Sequence, residues 1–254
     1  MDAITPIRFV EQFHLLFLAQ LARRVNPALF VIKDGCNLRF FHRSVRYSED
    51  MDLDVGELGA QAFRDRVREI FTSRPFAQIL EAREIAVDRV SEPKQTDTTQ
   101  RWKLGLRVTG LAAPLPTKIE CSRRGLDAGV AFGRIDPDLA RACHLPPLMV
   151  SHYDAAAALR QKMGALAGRR EPQARDVFDL HHLLAAGAAL RPADAPDTDV
   201  VERACANAMA IDFAVFKSQV LAYLVPEAQA QYDSPPVWDT IVLEVVDALR
   251  KGPS

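Results

Sequence analysis

The sequence predicts an α+β fold, with a mixed sheet flanked by helices over residues 1–147 and a helical region over residues 148–254. Three observations predict it. Asp50-Met51-Asp52-Leu53-Asp54-Val55 alternates acidic and apolar residues, the period of a strand with one buried face. Trp102, Leu104, Leu106 and Val108 alternate with Lys103, Gly105 and Arg107 in the same way. Beyond His144-Leu145-Pro146-Pro147 the chain turns Ala-rich, and Ala155, Leu159, Met163 and Leu166 recur at helical spacing.

Taken in order, Phe9, Phe13, Leu16, Phe17 and Leu21 predict an amphipathic helix that ends before Asn26-Pro27. Glu11, Gln12, His14 and Gln20 interrupt this stretch, which also lacks the basic start and small-residue cleavage site of a secretory leader. Leu29–Ile32 then reads as a short strand, Asp34-Gly35 as a turn, and Leu38–Phe41 as the start of a helix. One helix is expected over Asp65–Leu80 with Phe63, Val67, Ile70 and Phe71 inward. A strand at Ile85–Val90 is joined to the Trp102–Val108 strand through a polar tip at Ser91–Gln100. Pro114-Leu115-Pro116 closes that strand before Thr117–Cys121 opens the next. In the second region Ser151 is placed as a helix cap with Asp154 three residues on, and a second helix follows Pro172. Phe213–Leu224 and Val237–Leu249 suggest two more.

At 254 residues the chain can bury one good core and a smaller second one. A net charge of −1 gives no global attraction to nucleic acid or to an anionic membrane, so any such attraction must be local. The four cysteines are widely separated, which argues against a zinc site or a disulfide framework and suits a reducing, cytoplasmic setting. No segment approaches transmembrane length, so no membrane partner is expected.

The chemistry concentrates at Arg46-Tyr47-Ser48-Glu49-Asp50-Met51-Asp52. Carboxylates on alternate strand residues project together and raise each other's pKa, a penalty that a hard divalent cation removes. The plain alternative is a solvated acidic edge. Upstream, the turn at Lys33-Asp34-Gly35-Cys36 opens a helix whose free N–H groups favour phosphate, and Arg39, Arg43 and Arg46 follow. Triphosphate and metal must meet at one point in nucleotidyl transfer, and this order suits that need. Glu120, on a strand of its own, is a third acid able to lie beside Asp50–Asp54.

This stretch resembles the Lys-Gly-Gly-x-x-Leu … Arg-x-Ser-x-Asp-hydrophobic-Asp signature of the AbiEii/AbiGii-type nucleotidyltransferase toxins. These are the toxin halves of type IV toxin–antitoxin and abortive-infection systems. A second block is similar too: Lys162-Met163-x-Ala165-Leu166 … Arg170 … Arg175-Asp176-x-x-Asp179 follows the family's Lys-x-x-Ala … Arg … Lys/Arg-Asp-x-x-Asp pattern. The resemblance implies a DNA-polymerase-β-like fold, with residues 148–254 completing the active-site cleft. It implies Asp50, Asp52 and Glu120 as ligands of Mg²⁺ or Mn²⁺, and Lys33, Gly35, Cys36, Arg46 and Ser48 beside the nucleoside triphosphate. It further implies catalytic roles for Asp50, Asp52, Lys162, Asp176 and Asp179. Transfer of a nucleoside monophosphate to an acceptor, with tRNA ends as one acceptor, a cognate antitoxin as partner and a monomeric state, completes that expectation. Asp34 departs from the pattern, which has glycine there, and Cys36 stands where a small hydroxyl residue is usual.

Two other readings stand beside it. One is a nucleotide-binding protein of the same fold with little transfer activity, because Asp34 adds negative charge beside the triphosphate. The other is a metal-dependent hydrolase built on Asp176, Asp179 and His182. For Lys162 the plain reading is an apolar stem lying on the surface with its ammonium in water.

Overall fold

The computed structural model describes residues 6–252 as two compact units. One comprises residues 6–41 and 47–152, the other residues 42–46 and 153–252. The division falls after His152 rather than at the prolines near residue 147, and His42–Arg46 goes with the second unit although both its flanks belong to the first.

The first unit is built on a seven-stranded mixed sheet. Its strands are β1 (Phe30–Lys33), β2 (Asp50–Val55), β3 (Ile85–Gln95), β4 (Thr99–Val108), β5 (Leu115–Ser122), β6 (Val130–Arg134) and β7 (Met149–Tyr153). Their order across the sheet is β3-β4-β5-β2-β1-β7-β6. β2 runs antiparallel to β1 and parallel to β5, and β7 runs parallel to β1. The helices of this unit are α1 (Pro6–Arg24), α2 (Asp34–Phe41), α3 (Ala60–Phe71), α4 (Arg74–Glu81) and α5 (Pro137–Ala142).

The alternation in the strands decides the core. Met51, Leu53 and Val55 of β2, Trp102, Leu104 and Leu106 of β4, and Ile119 and Cys121 of β5 are buried in one cluster. Phe13 and Phe17 of α1, Phe63, Val67 and Ile70 of α3, and Phe76 and Leu80 of α4 join them there. The intervening residues of β2 and β5, Asp50, Asp52, Lys118 and Glu120, therefore share the opposite face.

Three local expectations are corrected. The single helix over Asp65–Leu80 is two, because Ser73 caps α4 by accepting from the Phe76 amide and Pro75 sits in its first turn. The polar tip at Ser91–Gln100 is largely strand, and β3 reaches Gln95 before a turn of three residues. Ser151 is not a helix cap but a buried residue of β7, paired in register with Val31. Asp154 is the cap, its carboxylate accepting from the Ala157 amide at 2.8 Å.

The second unit contains α6 (Ala155–Gly168), α7 (Ala174–Ala185), α8 (Thr198–Met209), α9 (Phe213–Gln219), α10 (Pro226–Tyr232) and α11 (Pro235–Lys251). Phe216 stacks on Trp238 with ring centroids 4.5 Å apart, and the edge of Tyr232 meets Phe178. The Trp238 indole donates to the Ile211 carbonyl, so its one polar atom is satisfied inside the core. Among the described residues no helix is long and apolar enough to cross a membrane.

Candidate active site

The carboxylate strand is fixed by register. Asp52 lies opposite Lys33 of β1 on one side and Glu120 of β5 on the other, and Asp50 lies opposite Lys118. One step farther out, Arg101 and Lys103 of β4 lie opposite Glu120 and Lys118. The alternating acids of β2 thus meet another acid and two cations across its two ladders, with two more cations one ladder farther out.

The cations are engaged unequally. Arg101 donates to Glu120 at 2.7 Å, and the Lys118 ammonium stands 3.3 Å from both Asp50 and Glu120. Lys33 pairs with Asp54 at 2.7 Å. Among the described residues, Asp52 has no cation in direct contact. Burial, and then the neighbouring Asp34, push its carboxyl up to about 7; Lys118 opposes them and Asp50 and Glu120 add to the rise. Glu120, held by Arg101 and Lys118, lies below its usual value despite its burial.

β1 runs directly into α2, which begins at Asp34 rather than near Leu38, so the expected turn is reduced to one left-handed residue at the start of the helix. Asp34, not Gly35, takes the left-handed backbone conformation, with φ 53°. Asp tolerates that region better than most residues, which explains how the turn survives without the usual glycine. Cys36 is buried in the first turn of α2. Its thiol donates to the Asp50 carbonyl at 3.3 Å, and burial holds its pKa far above the ordinary thiol value. What Cys36 could offer a phosphate is therefore its backbone. Ser48 also donates to the Asp50 carbonyl, at 2.8 Å.

Beneath the strand lies a relay that sequence reading missed. The Thr117 hydroxyl donates to the Glu49 carbonyl at 2.7 Å, so it accepts from His14 Nε2 at 2.7 Å. This fixes the His14 tautomer, and burial lowers its pKa to about 3, keeping the ring neutral. Thr117, His14, Cys36 and Ser48 together pin the two peptide carbonyls at the start of the carboxylate strand.

The second sequence block forms a separate cluster inside the second unit. Arg46 grips Asp179 through two hydrogen bonds of 2.9 and 2.8 Å. Lys162 stands 2.9 Å from Asp179 and 3.3 Å from Asp176, and Arg169 donates to Asp176 at 2.7 Å. Asp176 and Asp179 are fully buried and Lys162 is 3 % exposed, so the Lys162 ammonium is not in water. Burial would raise Asp179, but Arg46 and Lys162 outweigh it and hold the carboxyl far below the usual range. His182 Nε2 donates to the His42 carbonyl, 2.7 Å away, and both aspartates are closed by cations. That arrangement removes the hydrolase reading.

No three His, Cys, Asp or Glu side chains among the described residues are arranged ready to hold a metal ion. The donor chemistry of the sheet face nonetheless fits one. Asp50, Asp52 and Glu120 supply hard oxygen donors on one face, with more negative charge than Lys118 and Arg101 cancel, and with Asp52 destabilised as an anion.

A family model described as "Nucleotidyl transferase AbiEii toxin, Type IV TA system" matches residues 16–240. Two solved structures share the fold: JHP933 from Helicobacter pylori and a nucleotidyltransferase candidate from the same organism. Each superposes with a TM-score of 0.59 at 16 % identity and over 98 % of this chain, covering 96 % and 98 % of their own chains respectively. A search of curated protein sequences finds no match.

Proposed function

The chain belongs to the AbiEii family of nucleotidyltransferase toxins of type IV toxin–antitoxin systems, and from that premise we propose that it transfers a nucleoside monophosphate from a nucleoside triphosphate to an acceptor hydroxyl. The observation that carries this reading is the register that sets Asp50, Asp52 and Glu120 together on one sheet face, with α2 tied to the start of that strand through Cys36.

Asp50 and Asp52 are the metal ligands in this reading, with Glu120 the third donor. Mg²⁺ or Mn²⁺ bound there would neutralise the triphosphate and acidify the acceptor hydroxyl. The backbone at Asp34-Gly35-Cys36 receives phosphate at the N-terminal end of α2. Lys33 and Lys118 set the charge on either side of the carboxylates, and Ser48 fixes the strand's first carbonyl. Exposed Lys103, beside Lys118 in register, supports a polyanionic acceptor, and an RNA 3′ hydroxyl, with tRNA first, is the one to test. For Arg46, Lys162, Asp176 and Asp179, burial and mutual pairing support an organising role within the second unit. A cognate antitoxin, a monomeric state and a cytoplasmic setting complete the proposal.

The test is transfer of label from an α-labelled nucleoside triphosphate to RNA in the presence of Mn²⁺. Wild type should incorporate label, and Asp50→Ala should lose at least a hundredfold of the rate while melting at or above the wild-type temperature. Wild-type incorporation by Asp50→Ala would refute the assignment. A second reading, nucleotide binding with little transfer, is favoured by Asp34, whose charge adds to the burial that destabilises Asp52. Saturable triphosphate binding without incorporation into any acceptor would select it.

A further inference from the structure

The cation shared between Asp50 and Glu120 belongs to the protein itself. Lys118 lies opposite Asp50 in the parallel β2–β5 ladder, and its ammonium stands 3.3 Å from a carboxylate oxygen of Asp50 and 3.3 Å from one of Glu120. Its side chain is 26 % exposed, so it is neither lost in the core nor solvated enough to leave the acids unattended. Glu120 has a second cation in Arg101, and Lys33 is committed to Asp54, which leaves Lys118 as the group whose position bears on both Asp50 and Glu120 at once. The alternation of β5 dictates this: Thr117, Ile119 and Cys121 face the core, so Lys118 and Glu120 must share the acidic face.

We propose that Lys118 is a built-in counter-ion of the metal site, an ammonium that occupies the carboxylates in the metal-free protein and competes with the divalent ion for them. The inference rests on the metal assignment to Asp50 and Asp52. Two consequences follow from charge alone. Metal-free protein tolerates its clustered acids because Lys118 offsets them, and a divalent ion must displace that pairing to bind. Affinity for metal alone is thereby kept low. A bound triphosphate, which brings negative charge of its own, offers the released ammonium a new partner and so couples metal binding to nucleotide binding.

The experiment is titration of the full-length protein with Mn²⁺ in the absence of nucleotide, free ion being followed by electron paramagnetic resonance. Wild type, Lys118→Gln, Lys118→Arg and Asp50→Ala are compared. Lys118→Gln should tighten the Mn²⁺ Kd by about tenfold, and Lys118→Arg, which keeps the charge, should stay within about twofold of wild type. Addition of a non-hydrolysable triphosphate should tighten Mn²⁺ binding more in wild type than in Lys118→Gln. Unchanged or weaker Mn²⁺ binding in Lys118→Gln, with saturable binding that Asp50→Ala abolishes, would overturn the counter-ion and leave the metal site standing. Absence of saturable binding in both wild type and Lys118→Gln would instead overturn the metal site, and the counter-ion with it. Lys118→Met serves as the second neutral variant if Lys118→Gln melts early.

Discussion

Asp52 shows how one residue can record the purpose of its surroundings. Its carboxyl sits at about 7, because burial and then Asp34 disfavour the anion more than Lys118 favours it. The consequence for stability has a definite sign. The unfolded chain ionises this group near pH 4 while the folded chain holds the proton to about 7, so metal-free stability falls as pH rises through that window and levels off above it. Asp52→Asn removes the cost. In metal-free buffer it should match wild type near pH 4, melt progressively higher than wild type between about pH 4 and 7, and hold a constant advantage at pH 8. Differential scanning fluorimetry across that range is the check, and an advantage that shrinks with rising pH would show that Asp52 is not the strained anion. Asp34 contributes to this strain while keeping its own backbone at φ 53°, where glycine would add no charge.

The elements were legible in the sequence to the degree that their patterns were local. β2 and β4 announced themselves through alternation, and the Asp50, Asp52 and Glu120 face followed from it. The edge strand β6 was missed because Val130 and Phe132 lie exposed and carry no alternation against a core. β7 was missed because its partner is β1, some 120 residues away in register, and its flanking prolines read as a boundary. Partners were harder than faces. No pattern within β5 says that Arg101 would close on Glu120, and nothing near Asp179 points to Arg46, 133 residues away. The α6–α7 cluster is such a case: Asp176 and Asp179 are buried and Lys162 bridges them. Removing one partner from such a buried set strands a charge and typically costs roughly 3–5 kcal/mol. Lys162→Met, which keeps the packed stem, should destabilise the protein by about that much in urea unfolding. A loss under about 1 kcal/mol would mean that Arg46 and Arg169 suffice without it.

At the scale of the whole molecule, the chain does not divide where its composition does. Residues 42–46 belong with residues 153–252, and the link is more than proximity. His42 contacts the Tyr153 carbonyl through its ring at 3.0 Å, the Val225 amide donates to the Val45 carbonyl at 2.9 Å, and Arg46 holds Asp179. A fragment cut at the compositional boundary would keep Asp179 but lose Arg46, leaving the buried carboxylate with Lys162 alone. A buried carboxylate that loses its two-bond guanidinium partner keeps a desolvation cost that one ammonium offsets only in part, whereas a neutral isostere in the same place does not carry it. The same substitution should therefore act with opposite signs in two settings. In the full chain, Asp179→Asn strips Arg46 and Lys162 of their anion and should lower stability. In a fragment of residues 148–254, it should raise helicity and melting temperature, because Arg46 is already gone. Circular dichroism of the four proteins measures both signs in one experiment. A fragment as stable as the intact unit, or one that Asp179→Asn weakens further, would show that the five residues from the first half are passengers and that Lys162 alone satisfies the site.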